Sequence, residues 1–315
     1  MKLLKLVPAD TKIPFLKFAR AAVIASIAAF LGSIVLFFAV GLNLGIDFRG
    51  GTLIQIQTQG PADIGNLRSQ VGGLGLGDVQ IQEFGAADEV LIRVEQQAGG
   101  EEAQQGAIAK IKEALGSSVT YRRTEVVGPT VSGELARDGT IAVLSAILAI
   151  LIYIWFRFEW QFAVGAVIAL VHDVGLTIGI FTILQLQFDL STIAALLTIV
   201  GYSLNDTVVV FDRVRENLRK YKQMPLLELM NLSLNETLSR TLMTSVTTLI
   251  ALIAMFILGP EVIKGFTFAM IWGVVVGTYS SVFVAVAALV WLGVKRDWST
   301  NAEKNAGTNF GGAQV

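Results

Sequence analysis

The sequence predicts a polytopic α-helical membrane protein with one small α+β domain set between its first two spans. Three observations carry this. Of 315 residues, 53% are hydrophobic and 16% charged, with a mean hydropathy of +0.63, too apolar for an ordinary soluble domain. Six apolar runs approach or exceed the roughly 18–20 residues a helix needs to cross a bilayer core. Between the first two runs, over residues 41–138, the hydrophobic period changes and polar residues return.

The first run, residues 21–40, follows Lys2, Lys5, Lys12, Lys17 and Arg20 in a short segment, residues 1–20. It is longer than the apolar core of a secretory signal, and no small-residue cleavage pattern follows Val40, so a retained anchor is expected. The other runs are 139–156, 162–188, 190–211, 241–259 and 265–294. Lys and Arg sort by side: five before the first run, Arg157 between the second and third, six from Arg213 to Arg240, and three after the sixth. On the opposite side only Lys264 falls in a short connection. By the positive-inside rule both termini and the connection 212–240, read as a loop, face the cytoplasm, and the 41–138 segment is exported. The polar tail, 295–315, reads as disordered.

Within the exported segment the periods are local. Ile54, Ile56 and Thr58 alternate with glutamines as a strand, and Ile64, Leu67, Val71 and Leu74 recur at helical spacing. Val79 and Ile81, then Val90, Ile92 and Val94, alternate again; Ile108, Ile111 and Leu115 form a second helical stripe; Val119 to Val127 closes as a strand before Gly128-Pro129. The order βαββαβ is that of a ferredoxin-like domain. It holds no histidine and no cluster of acidic residues, which points to docking or handling a partner rather than covalent chemistry.

Several classes are excluded. With no cysteine there is no disulfide, thiolate metal site or cysteine nucleophile. Without a Gly-Lys dipeptide there is no phosphate-binding P-loop, and a net charge of -1 gives no sign of nucleic-acid binding. No cofactor or metal is expected; an ion gradient or a partner must supply energy.

The ionisable residues inside the spans are His172 and Asp173 in the third and Asp206 in the fourth. A charge at such depth costs at least ~2.5–3.5 kcal/mol, so these side chains are expected to face the protein interior and to be functional. At 1.5 Å per residue, His172 lies near the midplane and Asp206 about 7 Å nearer the cytoplasmic edge. Arg240 opens the fifth span from that same side, followed by Thr241, Thr244, Ser245, Thr247 and Thr248, a hydroxyl stripe that suggests a polar lane between helices. Bland readings stand beside these: Arg240 as an interfacial anchor, the hydroxyls bonding their own helix, His172-Asp173 as static interhelical glue, and Asn205 as a neighbour that only positions Asp206. Asp173 and Asp206 on separate spans raise an intramembrane aspartyl protease, but the unequal depths and the missing G-x-G-D signature argue against it.

These residues carry a resemblance to the SecF family, the smaller membrane subunit of the bacterial SecD–SecF complex, within the RND superfamily of proton-driven transporters. It runs through GIDFRGGT at Gly45 to Thr52, VVGPTVSGEL at Val126 to Leu135, FRFEW at Phe156 to Trp160, IALVHDVG at Ile168 to Gly175, GYSLNDTVVVFDRVREN at Gly201 to Asn217 and LNETLSRTLMTS at Leu234 to Ser245. Arg49 departs from it, standing where many relatives have Thr. The resemblance implies half of a twelve-helix bundle, a SecD partner supplying the other half, and work after the motor SecA beside the SecYEG translocon and YajC/YidC on an unfolded polypeptide. It also implies that protons are the coupling ion, with Asp206 the carrier and Arg240 its counter-charge; sodium would suit the same carboxylate and hydroxyl ligands. Gly50-Gly51 and Gly128-Pro129, at the joints between spans and domain, are candidates for hinges or for tight turns. A subunit that merely stabilises SecD remains the rival reading.

Overall fold

The computed structural model describes residues 11–294, so the 295–315 tail and the first ten residues lie outside the described residues. Six helical stretches are long and apolar enough to cross a membrane. They are α1 (Phe15–Ala39), α5 (Pro129–Arg157), α6 (Trp160–Leu184), α7 (Leu190–Lys220), α8 (Leu226–Leu258) and a sixth made of α9 (Lys264–Ser280), a π-turn (Ser281–Ala285) and α10 (Val286–Trp291). The sixth is the most buried and sits at the centre with α6 and α7, while α5 and α8 show most of their surface. Phe158 and Phe162 stack at 6.2 Å and each meets Phe211 of α7 edge to face, with ring centroids 6.2 and 5.2 Å apart. Gly273 and Gly277 bring α9 onto α7, since a Cβ at Gly273 would lie 2.3 Å from Ile199 and one at Gly277 3.0 Å from Ser203.

Two helices run well past their apolar lengths. The 212–240 connection, expected as a loop, is helical except at residues 221–225. Ion pairing rather than lipid holds these turns: Arg213 bonds Glu216 at 2.6 Å and Glu236 at 2.7 Å, and the buried Asn217 donates to Ser233 at 3.0 Å and Glu236 at 2.6 Å. Likewise α5 starts ten residues before its apolar run, with Pro129 in its first turn, where a missing N–H costs nothing. The third span stops earlier than its apolar run, at Leu184, where Gln185 takes a left-handed conformation (φ +50°).

The intervening domain has the expected order: β2 (Gly51–Thr58), α3 (Ile64–Gly72), β3 (Val79–Phe84), β4 (Ala86–Val94), α4 (Gly100–Leu115) and β5 (Val119–Val127). Its strands lie in the order β3-β4-β2-β5, all antiparallel, the ferredoxin-like arrangement. Ile54, Ile56, Val90, Ile92 and Val94 turn one sheet face onto Leu67, Val71, Ile108, Ile111 and Leu115 of the two helices. The other face, with Gln55, Arg123 and Glu125, overlooks a cleft shared with the bundle residues Asp189, Glu261 and Lys264.

A short strap joins domain and bundle. After α1, β1 (Asn43–Leu44) pairs in parallel with β6 (Gln187–Phe188), and α2 (Ile46–Arg49) follows. Gly45 N donates to Phe188 O at 2.7 Å, and Asp47 Oδ2 accepts from Leu190 N at 3.0 Å, joining Asp189 in capping α7. From the sheet, Arg93 Nη1 donates to Asn43 Oδ1 at 3.0 Å and to Leu44 O at 3.3 Å. The GIDFRGG segment therefore touches both the domain and the first residue of α7.

Candidate functional site: a polar cluster inside the bundle

Helical spacing turns Ser203, Asp206, Thr207 and Val210 of α7 to the interior, all of them buried. From α6, His172 and Asp173 face the same space; from the sixth span, Ser280 and Ser281 do so at the junction of α9 with the π-turn. Asp173 is fully buried and saturated: Oδ2 accepts from Ser203 Oγ at 2.6 Å and Ser280 Oγ at 2.7 Å, and Oδ1 bonds His172 Nδ1 at 2.8 Å. Three helices thus share one carboxylate. Outward of His172, whose buried Nε2 has no hydrogen-bond partner among the described residues, lies the Tyr279 ring, 6.2 Å away, and Tyr279 OH donates to Ala22 O of α1 at 2.9 Å. Beside it, Thr207 and Ser281 hydroxyls meet at 2.9 Å. The π-turn follows at once, a local break of the kind that gathers at functional sites.

Asp206 is the opposite case. It is 2% exposed, and its Oδ2 is buried with no hydrogen-bond partner among the described residues. Thr241 Oγ1 on α8 is likewise buried and unpartnered. Their levels agree: Tyr202 OH donates to Ser245 Oγ at 3.5 Å and Ser245 meets Thr278 at 2.7 Å, fixing the α7/α8/α9 register. From that level Asp206 and Thr241 each lie four residues, about 6 Å, toward the same end of the bundle. Asp206 is also about 4.5 Å beyond Ser203, and so beyond Asp173, a smaller offset than the sequence count between His172 and Asp206.

The expected site residues therefore divide. His172 and Asp173 come together with Ser203 and Ser280, which sequence reasoning missed. Arg240 forms no ion pair among the described residues; it is exposed on the flank of α8, beside rather than on the inward stripe Thr237–Thr241–Ser245. Thr244, Thr247 and Thr248 donate to carbonyls one turn back on their own helix, at 2.8–3.2 Å, so the polar lane is narrower than the stripe suggested. Asn205 is exposed and has no side-chain hydrogen bond among the described residues, since consecutive helical residues point about 100° apart; it does not position Asp206. Gly50 and Gly51 have φ of +71° and +116°, and a Cβ on Gly51 would lie 2.4 Å from Val94 O, so both are required by a tight turn against β4. Gly128 and Pro129 form an ordinary helix start. Of the missed residues, Ser203 stands three before Asp206, and Tyr279-Ser280-Ser281 interrupts an otherwise apolar span; each was a visible signal.

Two family profiles match the chain: Protein export membrane protein SecD/SecF, C-terminal, over residues 107–295, and the SecD/SecF GG motif over residues 35–62. The chain is 51% identical over 309 residues to the protein translocase subunit SecF of Rhodobacter capsulatus, covering 93% of each. It is 48% identical to that of Cereibacter sphaeroides, covering 98% of this chain and 97% of the relative. The chain belongs to the SecF family. A crystal structure of SecDF from Thermus thermophilus, described as a translocon-associated membrane protein, superposes with a TM-score of 0.82 at 36% identity. That likeness covers 90% of this chain and 39% of SecDF, so the chain corresponds to one part of the longer protein.

Proposed function

We propose that the chain is an auxiliary subunit of the Sec translocase in the bacterial inner membrane. With a SecD partner it uses the proton-motive force to promote late steps of protein export, doing no covalent chemistry itself. The observation that carries this reading is Asp206: a carboxylate buried inside an apolar bundle with one oxygen unsatisfied among the described residues. A buried carboxyl group exchanges its proton when a cation or water reaches it, so a small rearrangement of Arg240 or of water suffices. Each charge crossing the membrane supplies about 2.3 kcal/mol per 100 mV, enough to bias two packings of a helix bundle. Protons suit a lone carboxylate with one nearby hydroxyl; sodium is the alternative coupling ion.

Both termini lie in the cytoplasm and the ferredoxin-like domain in the periplasm, where it meets the emerging unfolded polypeptide. The domain is driven through the strap, because Asp47 caps the same helix that carries Asp206. SecYEG, SecA and YajC/YidC complete the assembly. Replacing Asp206 with Asn in cells lacking the native subunit tests the reading: export stimulated by the proton-motive force disappears while the complex still assembles. Unchanged export would leave the chain a passive stabiliser of SecD.

A further inference from the structure

At the end of the bundle where α5 and α7 terminate, Arg157, Asp212, Arg215, Glu216, Arg219 and Lys220 line a cleft of about 530 Å³. Its four cations outnumber its two carboxylates, and both carboxylates are already engaged. Arg157 Nη2 lies 2.9 Å from each oxygen of Asp212, and Glu216 is taken by Arg213, which lies outside the cleft, at 2.6 Å. Arg215 Nη1 is 4.0 Å from Asp212, and its buried Nε has no acceptor among the described residues. Arg219 is exposed and has no acidic partner among the described residues, and the Lys220 ammonium rests on the Tyr221 ring, 5.0 Å from its centroid. The guanidinium groups of Arg157 and Arg215 sit over the Phe158 ring at 4.8 and 5.6 Å, which holds their planes in place without neutralising them.

The level of the cleft follows from its neighbours. Tyr153, Trp155, Phe156 and Trp160 are all exposed around Arg157. Aromatic side chains of this kind collect where the hydrocarbon of a bilayer meets its headgroups. The cleft thus opens at headgroup depth on a flank formed by α5, the helix least packed into the bundle, where a lipid has room for its acyl chains. Basic pockets between transmembrane helices at this level suit anionic headgroups.

We infer that this cleft binds the phosphodiester headgroup of an acidic phospholipid. The phosphate takes the free donors of Arg215, Arg219 and Lys220, while Arg157 and Asp212 hold one wall as a fixed pair. The acyl chains run along the exposed aromatic face of α5. The inference stands on its own and does not depend on proton coupling.

The test uses the full chain in complex with its partner, purified in neutral detergent and titrated with phosphatidylglycerol, phosphatidylcholine or inorganic phosphate while bound lipid is counted by native mass spectrometry. Phosphatidylglycerol is expected to bind and phosphatidylcholine and inorganic phosphate to fail at matching concentrations. Removing one cation should weaken phosphatidylglycerol about five-fold, and Arg215→Gln with Arg219→Gln about 25-fold, from roughly 1 kcal/mol per basic residue at a membrane surface. Arg219→Gln alone removes an exposed side chain with no hydrogen bond or ion pair among the described residues, so it separates binding from misfolding; Arg68→Gln, an exposed change on α3, should have no effect. Equal binding of both lipids, full retention by Arg219→Gln, or equal binding of inorganic phosphate would overturn the assignment. So would loss of the partner chain from the double variant without loss of lipid, which would make the cleft a protein interface.

Discussion

Asp173 and Asp206 are both buried aspartates near the middle of the same bundle, about one helical turn apart in depth, yet the fold treats them oppositely. Asp173 receives three donors from three side chains on α6, α7 and the sixth span. Asp206 keeps a buried oxygen with none. A saturated carboxylate fixes the relative positions of its helices; an unsatisfied one is ready to exchange a proton or to move. The pairing teaches that depth and burial alone do not nominate a coupling residue: the count of donors separates a carboxylate held by three helices from the proposed carrier.

The comparison breaks most visibly at Asp173. Asp173→Ala removes the acceptor shared by Ser203, Ser280 and His172, an expected loss of ~2–5 kcal/mol from two interhelical bonds and one within α6. It should appear as a lower melting temperature of the purified complex and weaker accumulation in membranes. Asp206→Asn, which removes no existing bond at Oδ2, should leave both unchanged. A smaller effect is expected at the strap: Asp47→Ala removes one cap of α7, about 1 kcal/mol of stability, and loosens the domain from the helix that carries Asp206. Export should fall more than proton uptake does, and linking positions 44 and 188, which pair across the strap, by a Leu44→Cys/Phe188→Cys disulfide should restore it. Equal losses of both activities would show that the strap transmits nothing.

The smallest expected effects sharpen the lane. Thr241→Val replaces a buried, unpartnered hydroxyl with a methyl group, so stability should change by less than about 1 kcal/mol or rise slightly. Proton-driven export should nevertheless fall if Thr241 serves Asp206. Thr248→Val, whose hydroxyl only bonds its own helix, should alter neither.

Much of this was legible in the sequence because it depends on local period and composition. Apolar runs marked the six helices, alternation marked β2 to β5, and the rarity of ionisable residues in the spans marked His172, Asp173 and Asp206. What escaped depends on rotation about helix axes and on register between helices. Asn205 and Asp206 are neighbours in sequence, but only Asp206 faces inward; Arg240 and Thr241 divide in the same way. Ser203 and Ser280 become ligands of one carboxylate only because Gly277 lets α9 approach α7 closely. The helical turns beyond the hydrocarbon core, 212–220 and 226–240, escaped because apolar length measures the span and not the helix, and ion pairs such as Arg213 with Glu236 sustain the rest.

The central claim is that Asp206 carries the proton while Asp173 holds the helices. Proton uptake by inverted membrane vesicles containing the intact complex with its partner, compared for wild type, Asp206→Asn and Asp173→Asn at equal assembled amounts, tests it directly. The account predicts that Asp206→Asn is silent and that Asp173→Asn still conducts once the amount assembled is matched. Conduction by Asp206→Asn at the wild-type rate, or silence of a fully assembled Asp173→Asn complex, would contradict it.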